Sequence, residues 1–174
     1  MDCFRVGRLV ACRVVKKRFK LYLETSFWRR LVDETSDPRR IESYRFLRTV
    51  RKSHLLVVST LVSEELERAP VSALRGTMKR RIRAANPDVL TISTAAEVAD
   101  RLLSIQGRGK RDRPDMLHVA CAMIHGIDAL VSWDLHDLAC GGTRKAVERI
   151  AAERRLTATY VGTPREVATW LTTA

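Results

Sequence analysis

Asp112-Arg113-Pro114-Asp115-Met116-Leu117-His118-Val119-Ala120-Cys121-Ala122-Met123-Ile124-His125-Gly126-Ile127-Asp128-Ala129-Leu130-Val131-Ser132-Trp133-Asp134 is the stretch that decides the fold. Asp112-Arg113-Pro114 opens a helix, since proline suits a first turn whose N–H has no partner anyway. Met116, Leu117, Val119, Ala120, Met123 and Ile124 then give it a broad apolar surface, and Gly126 ends it. Asp128 to Val131 is too short for a helix and reads as a buried strand. Asp134 follows just past its carboxyl end.

The same alternation continues on both sides. Upstream, Lys20 to Glu24 reads as a strand and Thr25-Ser26 as a helix start. Asp37-Pro38 starts a second helix, in which Ile41, Tyr44, Phe46, Leu47 and Val50 recur at near-helical spacing. Leu55 to Ser59 is another buried strand, and Ser63 to Arg68 begins a helix. Asn86-Pro87-Asp88 is a turn before a strand over Val89 to Ile92. Ser93 or Thr94 caps the next helix, which carries Ala95, Val98, Ala99, Leu102 and Leu103 inward. Downstream, Gly141-Gly142 reads as a loop and Thr143 to Arg155 as a charged helix. Tyr160-Val161 reads as a last strand, and Thr163-Pro164 caps a terminal helix. Strands alternating with helices predict a three-layer α/β/α sandwich with a mainly parallel central sheet, covered on both faces.

The chain has 174 residues, one domain long enough to build a core without disulfides. No apolar run approaches the ~18 residues of a membrane span, so no membrane partner is expected. The net charge of +12 points to a polyanion, most commonly nucleic acid. Residues 1–20 carry seven cations against Asp2 alone, which is half of the excess. That leader lacks an apolar period, and Arg8, Arg13 and Lys16 interrupt it too often for a signal peptide. Residues 1–19 are therefore expected to be a basic extension, peripheral to a domain spanning 20–174. Cys3, Cys12, Cys121 and Cys140 include no C-x-x-C pair, which argues against a zinc site or a disulfide framework and for a reducing cytoplasm. Cys121 is expected to pack as a small hydrophobe.

In an open α/β sheet, ligands bind beyond the carboxyl ends of the strands. Glu24 ends the first strand, Glu64 and Glu65 follow the second, and Asp134 follows the strand after Gly126. Asp115, on the first turn of the preceding helix, can face the same crevice. Each acid alone also has a bland use, as a solvated strand end, a turn cap or a helix-dipole partner. Together, in a chain this cationic, they would repel one another unless a cation lay among them. Oxygen-only ligands suit Mg²⁺ or Mn²⁺ rather than zinc.

These segments resemble the PIN-domain family, in consistent order over about residues 20–170. Leu21-Tyr22-Leu23-Glu24-Thr25-Ser26 is similar to its opening motif, an acid ending the first strand and followed by Thr-Ser. Ser59 to Leu66 is similar to the second-acid segment, where the acid directly precedes an aliphatic residue; that selects Glu65 over Glu64. Pro114 to Ala120 resembles the helix motif Asp-Ala-Leu-His-Ile-Ala, and His125 to Asp134 the run to the last acid. Glu24 stands where the family more often has Asp, and a subgroup with Glu there often carries Asn where this chain has Asp134. The resemblance implies a metal-dependent endoribonuclease, often a VapC toxin paired with an antitoxin. On that reading Glu24, Asp115 and Asp134 hold Mg²⁺ or Mn²⁺, with Glu65 binding directly or through water. Thr25, Ser26 and Ser132 orient them. The partners implied are RNA, a cognate antitoxin and a second copy of the chain as a homodimer.

Arg108, Lys110, Arg111 and Arg113 flank Asp115 and are candidates for holding nucleic-acid phosphates. The run Gly107 to Lys110 lacks the spacing of a phosphate-binding P-loop, which excludes nucleotide hydrolysis of that kind. His118 lies on the helical face of Asp115, yet its apolar neighbours favour a packed structural role over that of a general base. His136 is expected to be packed likewise, and Trp133 to be core rather than a base-stacking platform. Two other readings use the same residues: a non-catalytic nucleic-acid-binding protein with a degenerate metal site, and a nuclease acting on DNA.

Overall fold

Leu21-Tyr22-Leu23 has no polar face, and all three side chains are fully buried. Such a strand must be covered on both sides. In the computed structural model, which describes residues 17–33, 36–69 and 72–174, it forms β1 (Lys20–Leu23), the middle of a five-stranded sheet. The chain continues through α1 (Thr25–Val32), α2 (Pro38–Val50), β2 (Leu55–Ser59), α3 (Thr60–Arg68), α4 (Ser72–Ala85) and β3 (Asp88–Leu90). It then runs through α5 (Ala96–Gln106), a 3₁₀ turn at Lys110–Asp112, α6 (Arg113–Ile124) and β4 (Ala129–Val131). Last come α7 (Gly141–Arg154), β5 (Tyr160–Gly162) and α8 (Pro164–Thr173).

The strand order is β3-β2-β1-β4-β5, and every pairing is parallel. Leu21 pairs with Leu56 on one side and with Ala129 on the other. Helices cover the sheet in two groups: α5 packs on α6 and α7, while α1 packs on α2, α3 and α4 and α2 meets α8. The result is the expected three-layer α/β/α sandwich. Trp28, Phe27 and Leu31 of α1 are fully buried, and each such side chain contributes roughly 1.5–3 kcal/mol of apolar burial. The indole of Trp28 donates to the Leu23 carbonyl at 3.0 Å, so its polar edge is satisfied.

Several local expectations shift, among them the third strand, which runs over Asp88–Leu90 and not Val89 to Ile92. α3 begins at Thr60, directly after β2, and not at Ser63. α4 was not anticipated; Met78 is its only fully buried residue, so it shows little apolar period. The N-cap of α5 is Ala95, without a side-chain hydrogen bond, in place of Ser93 or Thr94. Gly141-Gly142 is the first turn of α7 rather than a loop. Of the expected basic extension, residues 1–16 lie outside the described residues. Phe19, by contrast, is buried, with its ring 5.1 Å from that of Trp170.

Candidate metal centre

The chain steps outward from β1 to β2 and β3, then returns to place β4 on the other flank of β1. The gap between the carboxyl ends of β1 and β4 is thus the point where the strand order reverses, the usual ligand crevice of an open α/β sheet. Glu24 and Asp134 flank it.

Glu24 caps α1. Its carboxylate accepts from the Ser26 backbone N–H at 2.7 Å and from the Ser26 hydroxyl. The same hydroxyl oxygen accepts from the Trp133 N–H at 2.8 Å and lies 3.5 Å from Ser132 Oγ. These bonds tie the β1–α1 corner to the end of β4. Glu24 is buried, and burial pushes its carboxyl up from the ordinary range; the charge of His118 and the bonds from Ser26 and Ser132 pull partly back.

Past β4 the chain makes a tight polar turn. Ser132 Oγ accepts from the Asp134 N–H at 2.8 Å, and Asp134 Oδ1 accepts from the N–H groups of His136 at 2.9 Å and Asp137 at 2.8 Å. The turn brings Asp137 into a cluster with Asp134 and Asp115, in which one carboxylate oxygen from each lies within 4.8 Å of the others. Asp115 is pushed up to about 6, by burial first and by the charges of Asp134, Asp137 and Glu24, against the opposing effect of His118. Burial acts to raise Asp137 too, but hydrogen bonding to His136 and the Arg108 guanidinium, 2.5 Å away, hold it below the usual range. Sequence reasoning missed Asp137. The signal available was its spacing three residues after Asp134, which a turn can fold back onto the same crevice.

Glu65 stands apart from that trio. Its carboxylate accepts from the Thr25 hydroxyl, and both its oxygens lie 3.2 Å from His118 Nε2. Burial alone would raise it; the hydrogen bonds and charge of His118, with Thr25, outweigh that and hold it below its ordinary value. Glu64 is exposed and pairs with Arg68 at 3.5 Å. His118 is buried, as a packed residue would be, but its ring is fully engaged: Nδ1 lies 2.7 Å from Tyr22 Oη, which lies 2.6 Å from Ser59 Oγ. His136 departs from expectation. Its side chain is 93% exposed, because the turn projects it outward beside Asp137. Trp133 is half-buried, and its indole donates to Ser43 Oγ at 2.7 Å. Cys121 is buried among apolar groups, which push its thiol up to about 11.

The basic residues divide. Arg108 binds Asp137 and the His136 carbonyl, and Arg113 binds Asp100 at 2.8 Å. Lys110 and Arg111 are exposed beside the start of α6. A donor set of carboxylates alone, with Asp115 raised by burial and by its neighbours' charge, fits a hard divalent cation bound through oxygen. Asp134 Oδ1 is committed to two N–H groups, which leaves Oδ2 for such an ion.

The PIN domain family model matches residues 21–136, a span that includes Glu24, Glu65, Asp115 and Asp134. No curated protein matches the chain in sequence. Two solved structures share the fold. One is VapBC2 from Rickettsia felis bound to a DNA fragment from its promoter, with a TM-score of 0.50 and 15% identity over 66% of this chain and 87% of that one. The other is VapC20 from Mycobacterium tuberculosis, a sarcin-ricin loop cleaving toxin, with a TM-score of 0.50 and 17% identity over 67% of this chain and 91% of that one. With the family model covering most of the domain and the strand-end acids standing within its span, the chain belongs to the PIN domain family.

Proposed function

We propose that this protein is a metal-dependent endoribonuclease, acting in the cytoplasm as the toxin of a type II toxin–antitoxin pair. The observation that carries the reading is the convergence of Asp115, Asp134 and Asp137 at the β1–β4 switch point, with Asp115 raised to about 6 by burial and its neighbours' charge. Asp115, Asp134 and Glu24 are assigned to hold Mg²⁺ or Mn²⁺, joined by Asp137, with Glu65 at the margin. A divalent ion there lowers the pKa of a bound water and offsets charge on the scissile phosphate. The chain's own residues do the rest. Ser26 and Ser132 orient Glu24 and the Asp134 turn, Thr25 orients Glu65, and Lys110 and Arg111 offer phosphate contacts next to Asp115. The net charge of +12 favours a nucleic-acid substrate by the same electrostatics. An antitoxin partner is carried over from the VapBC2 neighbour, and a homodimer from the family resemblance.

The test uses purified full-length protein and single-stranded RNA and DNA of one sequence. Cleavage of RNA with Mg²⁺ or Mn²⁺, lost in chelator and in Asp115→Asn, is the expected result. Retained cleavage in Asp115→Asn overturns the ligand assignment, and cleavage of DNA alone moves the substrate. Folding of Asp115→Asn is checked by its melting temperature.

A further inference from the structure

His118 has a determinate proton. The Glu65 carboxylate accepts, so the 3.2 Å contacts to His118 Nε2 require Nε2 to carry a hydrogen, in the neutral and the charged ring alike. In the neutral ring Nδ1 is then an acceptor. Tyr22 Oη, 2.7 Å away, then donates to it. Having donated to Nδ1, Tyr22 Oη accepts from Ser59 Oγ at 2.6 Å. With the ring neutral the hydrogen bonds run in one direction, from Ser59 through Tyr22 and His118 to Glu65. Ser59, Tyr22 and His118 are all essentially inaccessible to solvent. β1, β2, α3 and α6 each supply one member, and the chain of bonds ends on Glu65, which also accepts from Thr25, the residue after Glu24. Chains of this kind polarise in one sense and lock their members' orientations.

We infer that Ser59, Tyr22 and His118 form a buried relay that locks the Nε2–H tautomer and fixes the Glu65 carboxylate in place beside Thr25, making His118 a positioning residue and not a general base. The inference rests on the metal-site reading for its consequence but not for its geometry. A ring whose Nε2 already carries a hydrogen directed at Glu65 has no lone pair there to take a proton from water. Its Nδ1 faces Tyr22 in the interior, away from any substrate.

Two side chains separate the two ring nitrogens. Glutamine places its amide nitrogen near the position of Nε2 and keeps the donor to Glu65. Asparagine reaches only to the level of Nδ1 and loses it. In metal-free protein, nitrogen-detected NMR of the histidine rings, with the His118 signals assigned by their absence in His118→Asn, should show the Nε2–H tautomer. Tyr22→Phe, which deletes one hydroxyl and keeps the ring, should release the lock and give a tautomer mixture. Calorimetric titration with Mn²⁺ should find His118→Gln near wild type. Binding should be ~10–100-fold weaker in His118→Asn and intermediate in Tyr22→Phe, the range typical when a ligand's supporting partner is removed. An Nδ1–H tautomer in the wild type overturns the relay whatever the metal does. Equal Mn²⁺ affinity in His118→Asn and His118→Gln overturns the positioning role. A wild type that shows the Nε2–H tautomer but binds no Mn²⁺ at millimolar concentration overturns the metal centre while leaving the relay standing. Melting temperatures of the three variants separate loss of packing from loss of aim.

Discussion

Asp115 and Glu65 are both half-buried carboxylates that feel His118, yet their surroundings drive them in opposite directions. Asp115 faces Asp134 and Asp137 and is raised to about 6. Glu65 faces a hydroxyl and an imidazole and is held below its ordinary value. One side of the crevice is an acid cluster short of positive charge. The other is a carboxylate whose hydrogen bonds are already made. Burial is common to both, so the difference comes from what each oxygen meets, and the Asp115 side is the one short of positive charge.

The sharpest break of this contrast is a pair of acid-to-amide changes measured in chelator. Asp115→Asn should raise the melting temperature by about 2–4 °C, corresponding to ~1 kcal/mol once solvent screening is discounted. Glu65→Gln should lower it by a similar or larger amount, since a hydrogen bond to a charged group contributes about 1.5–3 kcal/mol. Shifts of the same sign would mean that the two carboxylates are not in opposed environments.

The pH dependence follows from the same signs. Asp115 has a folded pKa above its unfolded one, so its charged form destabilises the metal-free fold above about pH 6, and that penalty fades as pH falls from 6 toward 4. The melting-temperature gap between Asp115→Asn and wild type should therefore be widest near pH 7.5 and close by about pH 4. Glu65 has the opposite linkage. Its stabilisation is present above the unfolded value and is lost as pH falls through the lower folded value, so the Glu65→Gln gap should persist at pH 5. A gap for Asp115→Asn that does not change with pH would break the assignment.

Arg108 moderates the acidic side by pairing with Asp137. Arg108→Ala should make Mn²⁺ binding a few-fold tighter by calorimetry, since a cation then meets less positive charge. Unchanged affinity would place Asp137 outside the ion's reach. The smallest expected effect is at Lys110 and Arg111. Replacing both with alanine should weaken RNA binding modestly and reduce the salt slope of log affinity by about 1 for each phosphate left without its cation. An unaltered slope would remove them from the RNA path.

Most of the sheet was legible because its strands are short apolar runs between helix caps, and Leu55–Ser59 was found to the residue. Capping chemistry did the same for α2, where Asp37 caps and Pro38 follows, and for α8, where Thr163 and Glu166 form a capping box. The reading failed where the local signal is weak. α4 turns most of its surface to solvent, and α5 starts without a side-chain cap. Of the acids singled out, Asp115 and Asp134 stand in one cluster, Glu24 is turned toward Ser26, and Glu65 toward Thr25 and His118. Asp137 escaped notice because an acid in a polar turn looks like any solvated residue; only the return of the chain at Asp134 reveals where it points. The relay at Tyr22 was invisible for a further reason. Its members are 37 and 96 residues apart in sequence.

The position of β1 at the centre of the sheet also governs how the protein folds. β1 reaches β2 across α1 and α2 alone, Lys20 opposite Leu55, but its other edge waits for Ala129. Closing that longer loop costs more chain entropy, and parallel pairings of large sequence separation are the slow ones. Until β4 docks, Glu24 has no Trp133 beside its capping serine, and Asp134 and Asp137 have no edge to fold over. The acids are thus gathered only by the late strand, so a ribosome-bound chain that has emerged only through β3 holds three of the five strands and none of the cluster.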